Sequence, residues 1–147
     1  MNQPWSIQVE PTQGCNRMCP FCGIWGMWRK PEDKKLEFMT AELAAQIAEE
    51  LNSWFNGKGK RVEFALQGEP LLNPDIVEIV KAFRENYPKA QLLVCTNGDR
   101  LHKNYQMVNY DLVYALFDAG LNYLVIENYD GIAVSYTHLT LPTTERV

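Results

Sequence analysis

The chain has no apolar run approaching the length of a membrane span and no surplus of positive charge: over 147 residues the formal net charge is -4. The first absence rules out a spanning helix among these residues, and the second removes any general electrostatic attraction to nucleic acid or to an anionic membrane. Cysteine is scarce, four in all, with three crowded between positions 15 and 22. Crowding of that kind, no secretory-type leader, and 46% hydrophobic residues to build a core argue against a disulfide framework and predict a reducing, cytoplasmic setting. Also missing are the paired cysteines, or a Cys/His pair further along, that a structural zinc site normally uses. His102 and His138 have no partner pattern.

What is present is the run Cys15-Asn16-Arg17-Met18-Cys19-Pro20-Phe21-Cys22. Gly14 before Cys15 and Pro20 after Cys19 oppose a helical continuation, so the three thiols fall on a loop that can curl around an inorganic cube and aim backbone N–H groups at its sulfides. A cluster of four irons and four sulfides takes four terminal ligands, and an electron-transfer protein supplies four thiolates. Three thiolates leave one iron open to chemistry. Two other readings stay open on the residues alone. One is a zinc site with a fourth ligand from elsewhere; the other is a non-catalytic iron–sulfur electron carrier or metal-stabilised module completed by Cys95. Cys95 lies in the apolar run Leu92-Leu93-Val94-Cys95-Thr96, where burial as a small hydrophobe is the default.

Strand-like apolar runs alternate with helical patterns at a repeat of roughly 30 residues, the size of a βαβ unit. A first strand over 6–10 ends at Pro11 and feeds the cysteine loop. Thr40 is placed to cap a helix with Leu43, Ala44, Ile47, Ala48, Leu51, Trp54 and Phe55 on one face, stopped by Asn56-Gly57. A second strand over 61–66 leads to Gln67-Gly68-Glu69-Pro70, and Pro74 stands near the start of a helix carrying Ile76, Val77, Ile79, Val80 and Phe83. A third strand over 91–95 ends in the turn Thr96-Asn97-Gly98, a helix over 111–119 closes at Gly120, and a fourth strand covers 122–127. The fold class is therefore α/β with parallel strands and right-handed crossovers. All strand C-termini then share one edge, the edge that carries the site in barrel-like sheets. The cysteine loop, residues 68–70, residues 96–98 and the segment after Glu127 are expected to meet there.

The three-then-two cysteine spacing, Asn16 after the first cysteine and Phe21 before the third resemble the signature of the radical S-adenosylmethionine (radical SAM) enzymes. Gln67-Gly68-Glu69-Pro70-Leu71-Leu72 is similar to that family's second motif, two glycines followed by Glu and Pro, with Gln67 in place of the first glycine. On the residues alone, Gly-Glu-Pro is equally a strand-to-helix turn. The resemblance implies a four-iron four-sulfur cluster on Cys15, Cys19 and Cys22 as the catalytic and metal centre, its open iron chelating the amino and carboxylate groups of S-adenosylmethionine. Reductive cleavage then gives methionine and a 5′-deoxyadenosyl radical that takes hydrogen from substrate. Further cofactor contacts are implied for Phe21 at the adenine edge, for Gly68 through close backbone approach, and for Glu69 as acceptor from the methionine ammonium. Asn128, with Asp130, is implied near the ribose or methionine; a plain turn made with Gly131 is the alternative. Trp25, Met27 and Trp28 would shield the cluster or simply pack. The implied partners are an electron donor such as a flavodoxin or ferredoxin and a substrate. Glu10-Pro11-Thr12 and Thr96-Asn97-Gly98 resemble positions in peptide-modifying members with a C-terminal cysteine-rich extension, so a peptide or protein is the expected substrate class. No such extension lies within this chain.

The end of the chain is out of character. Residues 135–144 show neither a helical period nor the established strand rhythm and read as translated sequencing-adapter read-through. We therefore expect 1–132 to be the N-terminal part of a radical SAM core and 133–147 a non-native tail. The family core resembles a barrel of six βα units open at one side. The expected architecture is thus a partial (β/α) barrel truncated after about four strands: an incomplete, inactive fragment with a sticky open edge.

Overall fold

A computed structural model describes residues 4–19, 22–23, 36–103, 107–108, 110–127 and 137–139. In chain order the elements are β1 (Ser6–Val9), β2 (Thr12–Gln13), β3 (Glu37–Phe38), α1 (Ala41–Trp54), β4 (Arg61–Phe64), a 3₁₀ turn (Pro70–Leu72), α2 (Ile76–Asn86), β5 (Gln91–Thr96), a second 3₁₀ turn (Asp99–Leu101), β6 (His102–Lys103), β7 (Met107–Val108), α3 (Tyr110–Asp118), β8 (Tyr123–Ile126) and β9 (Thr137–Leu139). No described helix is long and apolar enough to cross a membrane.

Local chemistry sets the helix ends. The Thr40 hydroxyl accepts from Leu43 N at 3.2 Å, satisfying one of the first-turn N–H groups of α1. At the other end Asn56 and Gly57 turn left-handed, with φ of 52° and 68°, and Gly57 N donates to Asn52 O at 2.8 Å. The predicted apolar face is narrower than the sequence pattern. Ala44, Ala48, Leu51 and Phe55 are buried, whereas Leu43 and Trp54 are exposed. Each stands one step, about 100° of rotation, from a buried neighbour, which carries it off the inward stripe. The start of α2 is fixed by Asn73 Oδ1, which accepts from Asp75 N at 2.8 Å.

The main sheet has the order β1-β4-β5-β8-β9. The first four strands are parallel and adjacent in chain order, in registers that include Val62↔Leu92, Phe64↔Val94 and Val94↔Leu124. Three successive right-handed crossovers between neighbouring strands place their helices on one face, as in a barrel wall. The burial pattern agrees: Val62, Phe64, Leu92, Val94 and Leu124 share one core with Ala48 and Leu51 of α1, Ile79, Val80 and Phe83 of α2, and Leu116 of α3. Phe64 meets Phe83 edge-to-face at 5.0 Å between centroids. The other face carries Gln8, Glu63, Leu93, Cys95 and Val125. Arg84, half-buried, ties the connections together by donating to Gly120 O, Ala90 O and Asn122 Oδ1.

Several boundaries differ from the sequence expectation. The β4 strand ends at Phe64, because Leu66 adopts φ 118° and turns the chain; β5 runs on through Thr96. The pairs β2–β3 and β6–β7, two residues per strand, are too short for periodicity to reveal. The edge expected to stand open beyond the fourth strand is met by β9, which pairs antiparallel with β8, Leu124 opposite Leu139. Those three residues come from the tail in which the sequence showed no strand rhythm; a run of three gives none.

Truncating Phe64, wholly buried between the sheet and α2, is expected to cost about 3–5 kcal/mol through lost transfer energy and the cavity left behind. Chemical denaturation of Phe64→Ala against wild type checks this.

Candidate functional site

The cysteine loop hangs from a clasp. After β1 the chain passes buried Pro11, whose carbonyl accepts from Met39 N at 2.9 Å and from Asn73 Nδ2 at 2.7 Å. The same Asn73 amide donates to Met39 O at 3.0 Å, so one side chain grips the strand that leaves for the loop and the strand that returns. The β2–β3 pair, Thr12 opposite Phe38, closes the neck.

Beneath the neck lies the segment 66–71. A Cβ on Gly68 would sit 1.5 Å from Thr12 O and 3.0 Å from Gly14 O, so only glycine lets this backbone pass under the start of the loop. Glu69 N donates to Gly14 O at 2.9 Å, and Gln67 N to Glu10 Oε1 at 3.0 Å. The close approach expected of Gly68 is thus an approach to the chain's own loop. The Glu69 carboxylate, 3% exposed, accepts three hydrogen bonds: from Leu71 N at 3.0 Å and Thr96 Oγ1 at 2.5 Å on Oε1, and from Asn97 N at 2.8 Å on Oε2. Burial pushes its pKa above the ordinary carboxylate range; the three donors oppose that shift without cancelling it.

Over the same edge stands the first cysteine. Cys15 Sγ receives Arg17 N at 3.4 Å and Asn97 Nδ2 at 3.6 Å. Asn97 Nδ2 also reaches Asn16 Oδ1 at 3.0 Å, and Asn16 Nδ2 donates to Asp99 Oδ2 at 2.7 Å. Cys22 N donates to Cys19 O at 3.0 Å. All three thiols are free and half-buried. Burial raises the Cys19 pKa, Cys15, Cys22 and Asp99 add to the rise, and Arg17 opposes it. Cys95 is also free, but burial and the carboxylates of Glu127, Glu69 and Glu63 push its pKa up to about 12. That setting keeps a thiol protonated, and a metal ligand must be a thiolate.

Among the described residues, no group of three or more His, Cys, Asp or Glu side chains is gathered closely enough to hold a single metal ion. A four-iron cube spreads its ligands more widely than one ion does. The donor set suits it: three thiols outside any disulfide, in one loop, with N–H groups directed at the sulfur of the first.

The structure brings Cys15, Gly68, Glu69 and the turn at 96–98 together, as the shared strand edge predicted. Phe21 and Asn128, and with them Trp25, Met27, Trp28 and Asp130, lie outside the described residues. Asn73, Arg17 and Asp99 were missed as site residues. Asn97 is legible within the Thr96-Asn97-Gly98 turn and its family likeness, without a role of its own, and Asp99 has no signal in sequence because its partners lie 82 and 83 residues away. Glu10, Pro11 and Thr12 are used within the fold: Glu10 holds Gln67 N, Pro11 O is the anchor of the clasp, and Thr12 O meets Gly68.

A parallel sheet with its helices on one face and a polar cluster around Cys15, Glu69 and Asn97 over its C-terminal edge has the layout of part of a (β/α) barrel with its site face. Residues 9–127 match the family model of the Radical SAM superfamily, and the chain belongs to that superfamily. It is 34% identical over 96 residues to an S-adenosyl-L-methionine-dependent 2-deoxy-scyllo-inosamine dehydrogenase of Niallia circulans, covering 65% of this chain and 36% of that protein. It is 28% identical over 124 residues to a GTP 3′,8-cyclase of Microcystis aeruginosa strain NIES-843, covering 82% and 33%. The fold is similar to that of BtrN, solved in complex with AdoMet and 2-DOIA, with a TM-score of 0.70 at 24% identity over 91% of this chain and 49% of that one. An open form of BtrN matches at TM-score 0.69 and 24% identity, over 89% of this chain and 53% of that one. The chain thus spans about a third of the curated relatives' length and half of the solved chain's.

In Glu69→Gln an amide NH₂ must face one of three donors, so the variant is expected to lose about 1–3 kcal/mol. Because the folded-state pKa of Glu69 is raised, its contribution is fully present below the ordinary carboxylate range and declines as pH climbs through the raised value. The gap between wild type and Glu69→Gln should therefore narrow from mildly acidic to neutral pH in denaturant titrations.

Proposed function

We propose that the full-length protein is a radical SAM enzyme in which Cys15, Cys19 and Cys22 hold a four-iron four-sulfur cluster while residues 68–70 and 96–98 flank S-adenosylmethionine. The observation that carries this reading is the position of Cys15, against Asn97 after β5 and next to Gly14, which Glu69 holds after β4, with Cys19 and Cys22 free and half-buried in the same loop. A cluster held by these three residues would supply one-electron reductive cleavage of S-adenosylmethionine to methionine and a 5′-deoxyadenosyl radical, with the electron drawn from a flavodoxin- or ferredoxin-like donor. The chain's own part is positioning. Asn97 Nδ2 and Arg17 N both reach Cys15 Sγ, at 3.6 and 3.4 Å, and so fix where that sulfur stands. Glu69 holds Thr96 and Asn97 in place beside the loop, and Gly68 seats its own turn against Thr12 and Gly14. Phe21 and Asn128 are retained as proposed contacts to the adenine and to the ribose or methionine.

For substrate we take a peptide or protein side chain, supported by the likeness of Glu10-Pro11-Thr12 and Thr96-Asn97-Gly98 to peptide-modifying members. A second reading, a small polar organic molecule, is favoured by the relatives, whose names give an inosamine and GTP as what they act on. A cytoplasmic location fits the free thiols.

Anaerobic reconstitution of the full-length protein with iron and sulfide, followed by S-adenosylmethionine and dithionite, is expected to yield 5′-deoxyadenosine. Cys15→Ala, Cys19→Ala and Cys22→Ala should each abolish product and reduce bound iron. Cys95→Ala should keep both within about twofold of wild type, since a buried neutral thiol acts as a small hydrophobe. An iron-loaded wild type that gives no 5′-deoxyadenosine would refute the reading. Deuterium transfer from labelled peptide or small-molecule candidates into 5′-deoxyadenosine then decides the substrate class.

A further inference from the structure

A chain of polar contacts joins the cysteine loop to the end of β5, and Asp99 stands at its centre. Arg17 engages both carboxylate oxygens: Nε donates to Oδ2 at 2.9 Å, and Nη2 meets Oδ1. Oδ2 also accepts from Asn16 Nδ2 at 2.7 Å. The backbone N–H of Asp99 donates to Asn97 Oδ1 at 3.0 Å, which orients that amide so that its Nδ2 faces Asn16 Oδ1 and Cys15 Sγ. The two residues that follow Cys15 are therefore both held by one carboxylate, and the sulfur itself is met from the same turn. An exposed ion pair contributes little. This one is bidentate, shared with a third group, and formed by side chains only 19% and 32% exposed, the geometry in which charge-assisted hydrogen bonds fix orientation.

We propose that Asp99 is a positioning residue for the cysteine loop: by gripping Arg17 and Asn16 it holds Cys15 against the Asn97 amide at the end of β5. This rests on the reading of the loop as a cluster site. Hydrogen bonds to ligating sulfurs help set a cluster's reduction potential. A donor at the sulfur stabilises the more negative, reduced form, so the Asp99 clamp acts on how readily the electron is accepted as well as on how firmly the loop is held.

The test uses the full-length protein as wild type, Asp99→Ala, Asp99→Asn, Arg17→Ala and the double variant Asp99→Ala/Arg17→Ala. Hydrogen exchange across residues 14–19 is read in the cluster-free protein; iron release to a chelator and the reduction potential are read after reconstitution. Asp99→Ala is expected to exchange and to release iron about tenfold faster, the scale of one lost charge-assisted contact, with a more negative potential. Arg17→Ala should match it in exchange and iron release, and in these the double variant should be no worse than either, because both remove the same interaction. Asp99→Asn, which keeps the shape but loses the charge, should fall between, and it carries the same readings if Asp99→Ala does not fold. Unchanged exchange and potential in a folded variant overturn the proposal, as do fully additive effects. A lower melting temperature with exchange and potential at wild-type values also overturns it, being the mark of a merely structural contact. If wild type takes up no iron, the cluster reading fails, and exchange alone then decides for or against the clamp.

Discussion

One buried carboxylate organises the C-terminal edge of the sheet. Glu69 reaches forward to Leu71 N within its own turn and across to Thr96 and Asn97 at the end of β5, so two turns that follow neighbouring strands are locked to each other. An acid group in that position is costly to leave unsatisfied, since removing it orphans three donors at once, one of them the N–H that sets the direction of Asn97. What sits above depends on this lock. The Gly68–Glu69 backbone supports Gly14, the Asn97 amide touches Cys15 and Asn16, and Asp99 holds Arg17.

The arrangement separates two physical tasks. Apolar burial on the helix-covered face, centred on Phe64, Phe83, Val62 and Leu92, fixes the strands. Polar contacts at the strand ends then fix loops whose own sequences have no regular structure to hold them. Asn73 belongs to the second group: its amide satisfies Pro11 O and Met39 O, and its carbonyl takes the N–H of Asp75 at the head of α2. A single short side chain thereby links the neck of the cysteine loop to a helix that is anchored in the core.

Much of the scaffold was legible in sequence because it obeys periodic rules. The strand-like runs at 6–10, 61–66, 91–95 and 122–127, which form strands over 6–9, 61–64, 91–96 and 123–126, the Thr40 cap and the Asn56-Gly57 stop all report local chemistry, and the parallel order of β1, β4, β5 and β8 follows from alternation with helices. The three cysteines and Gly68-Glu69 were visible as motifs. Leu66 was read as strand because its apolar character fits one, while the turn at φ 118° is imposed by where Gly68 and Glu69 must dock. The family likeness implies Glu69 as an acceptor for the methionine ammonium; its three intramolecular donors come from residues whose proximity only the assembled sheet creates. Asp99 and Asn73 had no signal for the same reason.

The contacts that define the cysteine loop span large stretches of chain: 57 residues for Glu10 with Gln67, 62 for Pro11 with Asn73, and 82 for Arg17 with Asp99. Pairings that distant close slowly, since the intervening chain must first lose its freedom. During synthesis the thiols emerge long before the turn that orients them exists. The sulfurs therefore wait on an unanchored loop, and the turn that meets the first of them is in place only once the third parallel strand has docked, which makes the shaping of this edge a late event in the life of the polypeptide.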